Sequence, residues 1–369
     1  MASCAAMEST EALLPLAGTR VLEIGGGVPA GFATRWMTGY GADVVRSEGP
    51  EGALTSDEET FLLPGKRRVR RDTPRLRELA LAADIIVEDG APGALAAHGL
   101  DPRALLREKP ALVITSLTPF GQDGPHAHWA ATNLVAHAAG GILSLTGVAT
   151  RPPLQNGGAQ AWMLLGLNGF SASVSAWYGA LVHGEGDWLD ISAQECAAGM
   201  LEYAGPRAAF DGTPAQRLGN RVNAIWGIYA CADGFAGVCA LQRQAGAFLA
   251  QMGEADLMEP RYLDPGERVA NDAELGARIE GWFADKTKRE LLELGEKHRV
   301  PIGAVMTPLD LLGNASLAQR GFFDLAETRE GAAKIPGRPF LGLDWRAGEL
   351  RAPAADTAAV ERDWLGGAR

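Results

Sequence analysis

Short apolar runs alternate with amphipathic stretches along the first third of the chain. The segments TRVLEIGG, ADVVRSE, DIIVED and ALVITSL each predict a short buried strand. Between them, PAGFATRWMTGYG, PRLRELALAA and DPRALLREKP have apolar residues at helical spacing. Strands that are apolar on both faces and alternate with helices are typical of a parallel sheet covered on both sides. The pattern therefore predicts an α/β domain with a doubly wound parallel sheet.

The pattern changes near residue 132. Small residues occupy the helical positions from Thr132 to Leu181, and DWLDISAQECAAGML, which follows, predicts a further helix. A polar stretch with Gly and Pro then predicts a linker, and IWGIYACADGFAGVCAL predicts two short strands around an Asp-Gly turn. The expected segments are a loose N-terminal extension (1–14), a large domain (15–205), a linker (206–224), a smaller α+β domain (225–325) and a C-terminal segment (326–369).

Charge and composition narrow the classes of function. The 369 residues carry a formal net charge of −11, which argues against general binding to nucleic acid or to an anionic membrane, because both require a basic face. The first residues, MASCAAMESTEALLPLAG, lack the basic start and the apolar core of a signal peptide. No apolar run of the sequence reaches membrane-spanning length. We expect a cytoplasmic protein.

The cysteines and histidines do not predict a metal site. The four cysteines lack zinc-ligand spacing, and a chain of this length folds without disulfides. His126, His128 and His137 lack an acidic or cysteine partner at metal-binding spacing. We therefore expect no bound metal.

The turn after the first predicted strand, in VLEIGGGVPAGFATRW, has three consecutive glycines. The helix that follows such a turn offers backbone N–H groups to a phosphate. A methyltransferase would have glycines two, four and six residues after Glu23, but the third of these places is Pro29. A dinucleotide-binding G-x-G-x-x-G register that starts at Gly25 ends at Ala30, which is a weak match. The turn predicts phosphate binding without deciding between these classes.

The segment GKRRVRRD, which starts at Gly65, is the densest cluster of positive charge in this acidic chain. Charge runs of this kind usually form a solvated face. Alternatively, the cations clamp a phosphorylated cofactor through charge-assisted hydrogen bonds. The residues alone leave both interpretations open.

A series of motifs resembles the class III CoA-transferase family, which includes carnitine and formyl-CoA transferases and α-methylacyl-CoA racemases. In chain order the motifs include LAGTRVLEI, PGKRRV, PALVITSLTPFGQDGP, GEGDWLDISAQE, RLGNR and IPGRPF. They extend from about Leu16 to Pro353, and FGQDGP followed by a Gly-x-Gly and Asp-x-Ser block is specific to the family. The resemblance implies a doubly wound large domain, a small second domain and two chains interlocked like links, with the tail returning to the large domain.

Transferases of that family use an aspartate as the nucleophile that attacks the acyl-CoA. The family pattern places Gly four residues after this aspartate and then a Gly-x-Gly pair and Asp-x-Ser. The residues that match it here are Gly166, Gly184, Gly186, Asp190 and Ser192. Counted without gaps, the place of the nucleophile is Trp162, and the place of the histidine found in the racemases is Thr132. An indole cannot attack a thioester, so the resemblance leaves the catalytic residues unknown.

The resemblance also implies that CoA or an acyl-CoA is the ligand, held in an altered site. Lys66 and Arg67 match the Gly-Lys-Arg motif of the family, whereas its Asn-Phe-Arg-type segment is replaced by Asp89, Gly90 and an alanine. A carboxylate at position 89 would repel a diphosphate. The residues expected at the ligand are Pro29, Ala30, Lys66, Arg67, Asp89 and Gly90.

Three functions are compatible with these features. The chain is the subunit without a nucleophile in a hetero-oligomeric CoA-transferase, paired with a paralogue that has the aspartate. Alternatively, it is a repurposed enzyme that performs isomerase or lyase chemistry on an acyl-CoA or other acyl substrate, as a homodimer or a heteromer. In the third interpretation it is a binding protein without turnover.

Overall fold

The structure, a computed structural model, describes residues 14–49, 54–328 and 331–366. Its chain divides into two compact units. Unit 1 takes the described residues of 1–142, 155–210 and 315–369, and unit 2 takes 143–154 and 211–314. The predicted N-terminal extension lies outside the described residues except for Leu14.

The main sheet of unit 1 has the strand order β3-β2-β1-β4-β5-β6, and each pair of neighbours is parallel. Its strands are β1 (Arg20–Ile24), β2 (Asp43–Glu48), β3 (Arg67–Arg70), β4 (Ile85–Glu88), β5 (Val113–Thr118) and β6 (Trp188–Ser192). This doubly wound order confirms the predicted fold class. The order of the strands reverses between β1 and β4, which is where doubly wound proteins bind their ligands.

The remaining strands form two antiparallel sheets. They are β7 (Arg221–Asn223), β8 (Trp226–Cys231), β9 (Gly234–Cys239), β10 (Ile302–Ala304), β11 (Phe323–Thr328) and β12 (Gly331–Pro336). In unit 2 the order is β10-β9-β8-β7, and β8 and β9 form the predicted hairpin. In unit 1, β11 pairs with β12.

Helices cover both faces of the main sheet and fill most of unit 2. In chain order they are α1 (Val28–Gly39), α2 (Ser56–Leu62), α3 (Leu76–Ala82), α4 (Ala94–Ala97), α5 (Pro102–Glu108), α6 (Asn133–Ala139), α7 (Gln160–His183), α8 (Ala193–Ala198), α9 (Ala204–Asp211), α10 (Gln242–Ala250), α11 (Pro260–Leu263), α12 (Pro265–Ala270), α13 (Asp272–Ala284), α14 (Lys288–His298), α15 (Pro308–Leu312), α16 (Ala315–Gln319) and α17 (Thr357–Leu365). In the part of the chain that is described, none of these helices is both long and apolar enough to cross a bilayer.

Alternate residues of each parallel strand belong to different cores. Val21 of β1 lies in one buried cluster with residues of α1 and α7, whereas Leu22 lies in another with residues of α3 and α17. This two-sided burial explains why the strands are continuous apolar runs.

Helices α1 and α7 approach each other closely because α7 has glycine at position 166. A Cβ atom added there would lie 2.5 Å from the carbonyl oxygen of Pro29 in α1. Real Cβ atoms essentially never come this close to another heavy atom. The small residues predicted for this helix therefore serve the contact with α1.

Three segments differ from the predicted secondary structure. DWLDIS, predicted as the start of a helix, forms β6, because it pairs with β5 and completes the sheet. The stretch predicted as a linker includes most of α9 and all of β7, which pairs with β8. The C-terminal segment, for which no helix was predicted, contains α17, whose Val360 and Trp364 are buried in unit 1.

Candidate functional site

A cavity of about 210 Å³ lies at the carboxyl ends of β1 and β4, where the strand order reverses. We call it the switch-point cavity. The residues after β1 line one side of it, namely the turn of Gly25, Gly26 and Gly27. The end of β4 and the residues beyond it line the other side, including Glu88, Asp89 and Gly90. Arg71 contributes a positive charge to this cavity, and His98 contributes an imidazole.

The Asp89 side chain is bound to the glycine turn and to the first turn of α1. One carboxylate oxygen, Oδ1, accepts hydrogen bonds from the backbone N–H groups of Gly26 at 3.1 Å and Gly27 at 3.4 Å. The other, Oδ2, accepts one from Ala30 at 3.1 Å. A negative charge at the N-terminus of a helix is favourable because the helix dipole is positive there. The anion-binding groups predicted for this turn are therefore occupied by a carboxylate of the protein itself.

The glycines of the turn make room for this carboxylate. A Cβ atom at position 25 would lie 1.9 Å from Asp89 Oδ1, and one at position 27 would lie 2.6 Å from Oδ2. Even an alanine would displace the aspartate. Loss of hydration raises the pKa of Asp89, although the hydrogen bond from the Ala30 N–H acts in the opposite direction.

Glu88 is a buried carboxyl group beside the same cavity. Only 2% of the residue is exposed, and its carboxylate accepts hydrogen bonds from the Gly90 N–H at 2.8 Å and from Nε2 of Gln122 at 3.3 Å. Within the described ranges no ion pair involves Glu88. Burial raises its pKa to about 7. It also lines a second cavity, of about 390 Å³, together with Ser116 and Trp188, so a group that titrates near neutral pH lies between two cavities.

Lys66, predicted at the ligand, forms a buried ion pair. Its Nζ atom donates to Oε2 of Glu23 at 2.9 Å, to the Gly31 carbonyl at 2.8 Å and to the Thr34 hydroxyl at 2.7 Å. Arg46 binds the other carboxylate oxygen of Glu23. Burial acts to raise the pKa of Glu23, but the charges of Lys66 and Arg46 lower it to about 2. This cluster holds β1, β2 and α1 together.

The rest of the basic run is also largely committed to carboxylates of the protein. Arg67 pairs with Asp43 and, at 2.9 Å, with Asp363. Arg68 is buried and pairs with Glu48 and Glu59, and Arg70 pairs with Asp72. The run therefore belongs mainly to the edge of the sheet. That Lys66 and Arg67 contact a ligand stays a prediction.

Two residues of the cavity, Arg71 and His98, are not identified by the sequence analysis. Arg71 was part of the basic run but was not singled out, and its Nη2 atom donates to the Gly25 carbonyl at 2.7 Å. His98 follows α4, and no feature of the sequence marks it.

The other predicted positions lie on α1, α6 and α7. Pro29 and Ala30 are buried in the first turn of α1. Trp162 is half-buried in the first turn of α7 and packs beside Val28 and Leu62. Thr132 precedes α6, and its hydroxyl accepts a hydrogen bond from the Val135 N–H.

Asn133 connects Thr132 and Trp162, the two positions that the sequence resemblance aligns with catalytic residues. Its Oδ1 atom accepts hydrogen bonds from the N–H groups of Ala161 at 2.9 Å and Trp162 at 3.4 Å. Thr132 is its neighbour in the chain, so the starts of α6 and α7 lie together. Neither Thr132 nor Trp162 lines the switch-point cavity.

The chain is similar to proteins of known kind over most of its length. A family model described as CoA-transferase family III matches residues 68–357. A probable CoA-transferase of Mycobacterium tuberculosis is 28% identical over 371 residues, and the match covers 94% of this chain but 47% of that protein, so the chain spans about half of its length. The BbsE subunit of the succinyl-CoA:(R)-benzylsuccinate CoA-transferase of Thauera aromatica is 27% identical, with 86% of each chain covered.

The fold of this chain closely resembles that of a protein with a known crystal structure. A CAIB/BAIF family protein from Brucella suis superimposes with a TM-score of 0.84 at 26% identity. The match covers 95% of this chain and 100% of that chain.

Proposed function

Because this chain belongs to CoA-transferase family III, we propose that it is the subunit without a nucleophile in a hetero-oligomeric CoA-transferase. The observation that carries the proposal is the half-buried indole of Trp162, which occupies the first turn of α7 at the position that the family register gives to the nucleophile. A related chain with the aspartate would then perform the covalent step.

The name of one relative supports an assembly of subunits. The protein of Thauera aromatica is named as a subunit of its CoA-transferase, and this chain matches 86% of it. We propose that this chain likewise pairs with a paralogue, in the interlocked arrangement that the sequence resemblance implies.

One exposed apolar stripe on α7 fits such a contact. Tyr178, Leu181 and Val182 are 67%, 64% and 58% exposed. They lie three and four residues apart, and therefore on one face of the helix. Contiguous exposed apolar side chains commonly mark a protein interface. We propose that this stripe contacts the partner chain.

We further propose CoA or an acyl-CoA as the ligand of the switch-point cavity, in a cytoplasmic protein. The location supports this, because ligands of doubly wound sheets bind where the strand order reverses. Arg71 offers a cation to a phosphate there. The free cysteines 196, 231 and 239 are compatible with a reducing compartment.

Glu88 favours a second candidate function, an enzyme with acid/base chemistry of its own. A carboxyl group with a pKa of about 7 beside a cavity is suited to accept and return a proton at neutral pH. In this alternative the chain acts on an acyl substrate as an isomerase or a lyase.

Co-expression with a paralogue that has the aspartate tests the proposal. We expect a stable mixed complex, detected by native mass spectrometry, that transfers CoA between two acids. The variant Leu181→Glu should weaken the complex, whereas the matched variant Leu309→Glu, at a side chain that is 80% exposed elsewhere on the chain, should not. Homodimers alone would contradict the proposal.

A further inference from the structure

The carboxylate of Asp89 lies where an anionic ligand would bind at the start of α1. It accepts three backbone N–H groups, from Gly26, Gly27 and Ala30. Groups of this kind, at the N-terminus of a helix that follows a glycine turn, are the ones that hold phosphates in other proteins. Here they already have an anion, and the turn is shaped around it.

We propose that Asp89 is a specificity-determining residue that keeps phosphate groups away from the α1 end of the switch-point cavity. This inference does not depend on the proposed transferase role, because it concerns only which chemical groups the cavity accepts. A phosphate at the start of α1 would have to displace Asp89 or lie beside its charge, and with Glu88 a second carboxyl group lines the same wall.

The side chains that line the cavity then differ in which ligand groups they bind. At the α1 end, carboxylate oxygens face the ligand, and these accept hydrogen bonds from hydroxyl or amide N–H groups. Arg71 and His98, in contrast, line both this cavity and a neighbouring one of about 550 Å³. A phosphorylated ligand is therefore expected to place its phosphates near Arg71 and His98, and an uncharged part that donates hydrogen bonds near Asp89.

The variant Asp89→Ala tests this inference with inorganic pyrophosphate as the probe. Loss of the carboxylate frees three N–H groups toward the cavity. We expect D89A to bind pyrophosphate at least about 10-fold more tightly than the wild type does, as measured by calorimetric titration at low salt. Glu185→Ala is the matched control, because it removes an exposed carboxylate that lines neither cavity.

A second measurement uses formate, which replaces the missing carboxylate. Formate should raise the thermal unfolding midpoint of D89A and leave that of the wild type unchanged, since only the variant has an empty carboxylate position. If D89A does not fold, Asp89→Ser removes the charge and is too short to occupy all three N–H groups, and it should also bind pyrophosphate more tightly than the wild type.

Two outcomes would overturn the inference. Equal gains in affinity for the variants at positions 89 and 185 would show an effect of net charge alone. A folded variant at position 89 that gains no affinity for pyrophosphate would show that the α1 end does not take phosphate even when it is free. Neither result depends on a partner chain or on CoA, so failure here is distinct from failure of the proposed function.

Discussion

The ammonium group of Lys66 lies 2.9 Å from a carboxylate oxygen of Glu23, and both side chains are completely shielded from solvent. Lys66 precedes the edge strand β3, whereas Glu23 belongs to the central strand β1. Their contact spans β2, whose Arg46 pairs with the same carboxylate. The positive charge of Lys66, which the sequence analysis assigns to ligand binding, thus stabilises the sheet.

Replacement of Glu23 by glutamine should strongly destabilise the protein. The change leaves the positive charges of Lys66 and Arg46 buried without their counter-charge, and breaking a buried pair in this way costs about 3–5 kcal/mol. Urea unfolding at pH 7 measures the loss. The double variant E23Q/K66M removes one of the uncompensated charges and should recover part of it; equal stability of the two variants would contradict this account.

Acid should remove the same stabilisation in the wild type. The pKa of Glu23 is lowered from 4.5 to about 2. A carboxyl group with a lowered pKa stabilises the folded state above its ordinary pKa, and the stabilisation is lost as the pH falls through the lower value. Between pH 5 and pH 2, the free energy of unfolding should therefore fall more steeply in the wild type than in E23Q.

Replacement of Glu88 by glutamine should have the opposite dependence on pH. Its pKa is raised from 4.5 to about 7, so the folded wild type holds a proton that the unfolded chain releases, and its stability falls as the pH rises between these values. Between pH 4.5 and pH 8, the difference in unfolding free energy should shift by about 3 kcal/mol in favour of E88Q, since a tenfold change in proton affinity is worth about 1.4 kcal/mol. The exposed control Glu108→Gln should show no such shift; a flat difference for E88Q would contradict the raised pKa.

The contact between α1 and α7 predicts different effects for two glycines of one helix. Gly166→Ala places a methyl group against the Pro29 carbonyl and should cost about 1–3 kcal/mol, as overpacking does. Gly179→Ala, with nothing within 4 Å of the added atom, should instead stabilise the helix by up to about 1 kcal/mol. Thermal unfolding measures both changes. Equal effects at the two positions would mean that the close approach is unimportant.

The variant Trp162→Asp introduces the residue type that the family uses as its nucleophile. Trp162→Asp places a carboxylate beside Val28 and Leu62 and should destabilise the chain by about 2–4 kcal/mol. We expect no CoA transfer from acetyl-CoA to succinate by this variant alone, because Asp89 also departs from the family pattern. Trp162→Phe is the control, and its loss of stability should be smaller. Transfer by W162D would show instead that the acyl site is intact.

Strands β1, β2, β4 and β5 of the main sheet follow from the sequence because each is a local apolar run. Helices α1, α3 and α5 follow from local periodicity. The partners of the charged residues do not follow in this way. Lys66 and Glu23 are 43 positions apart, and only the folded sheet brings them together. The same holds for Asp89, which lies 62 positions from Gly27. From the sequence, this carboxylate is expected to repel a diphosphate. In the structure it is the group that the glycines of the turn accommodate.

The sequence contains patterns typical of α17 and β6 that the prediction did not use. In α17, Val360 and Trp364 are four residues apart, which is the spacing of a helix with one buried face. In β6, alternating residues fit a strand as well as a helix, and only the pairing with β5 decides between them. Short segments of this kind depend on tertiary contacts.

The discontinuous path of unit 1 has a consequence for biosynthesis. The ribosome delivers residues 211–314, which belong to unit 2, before residues 315–369, which belong to unit 1. Trp345, which packs on Trp36 and Tyr40, and the buried Trp364 therefore emerge only after all of unit 2. Until they emerge, the surfaces that these indoles cover stay open on a nascent chain whose unit 2 is already available to fold.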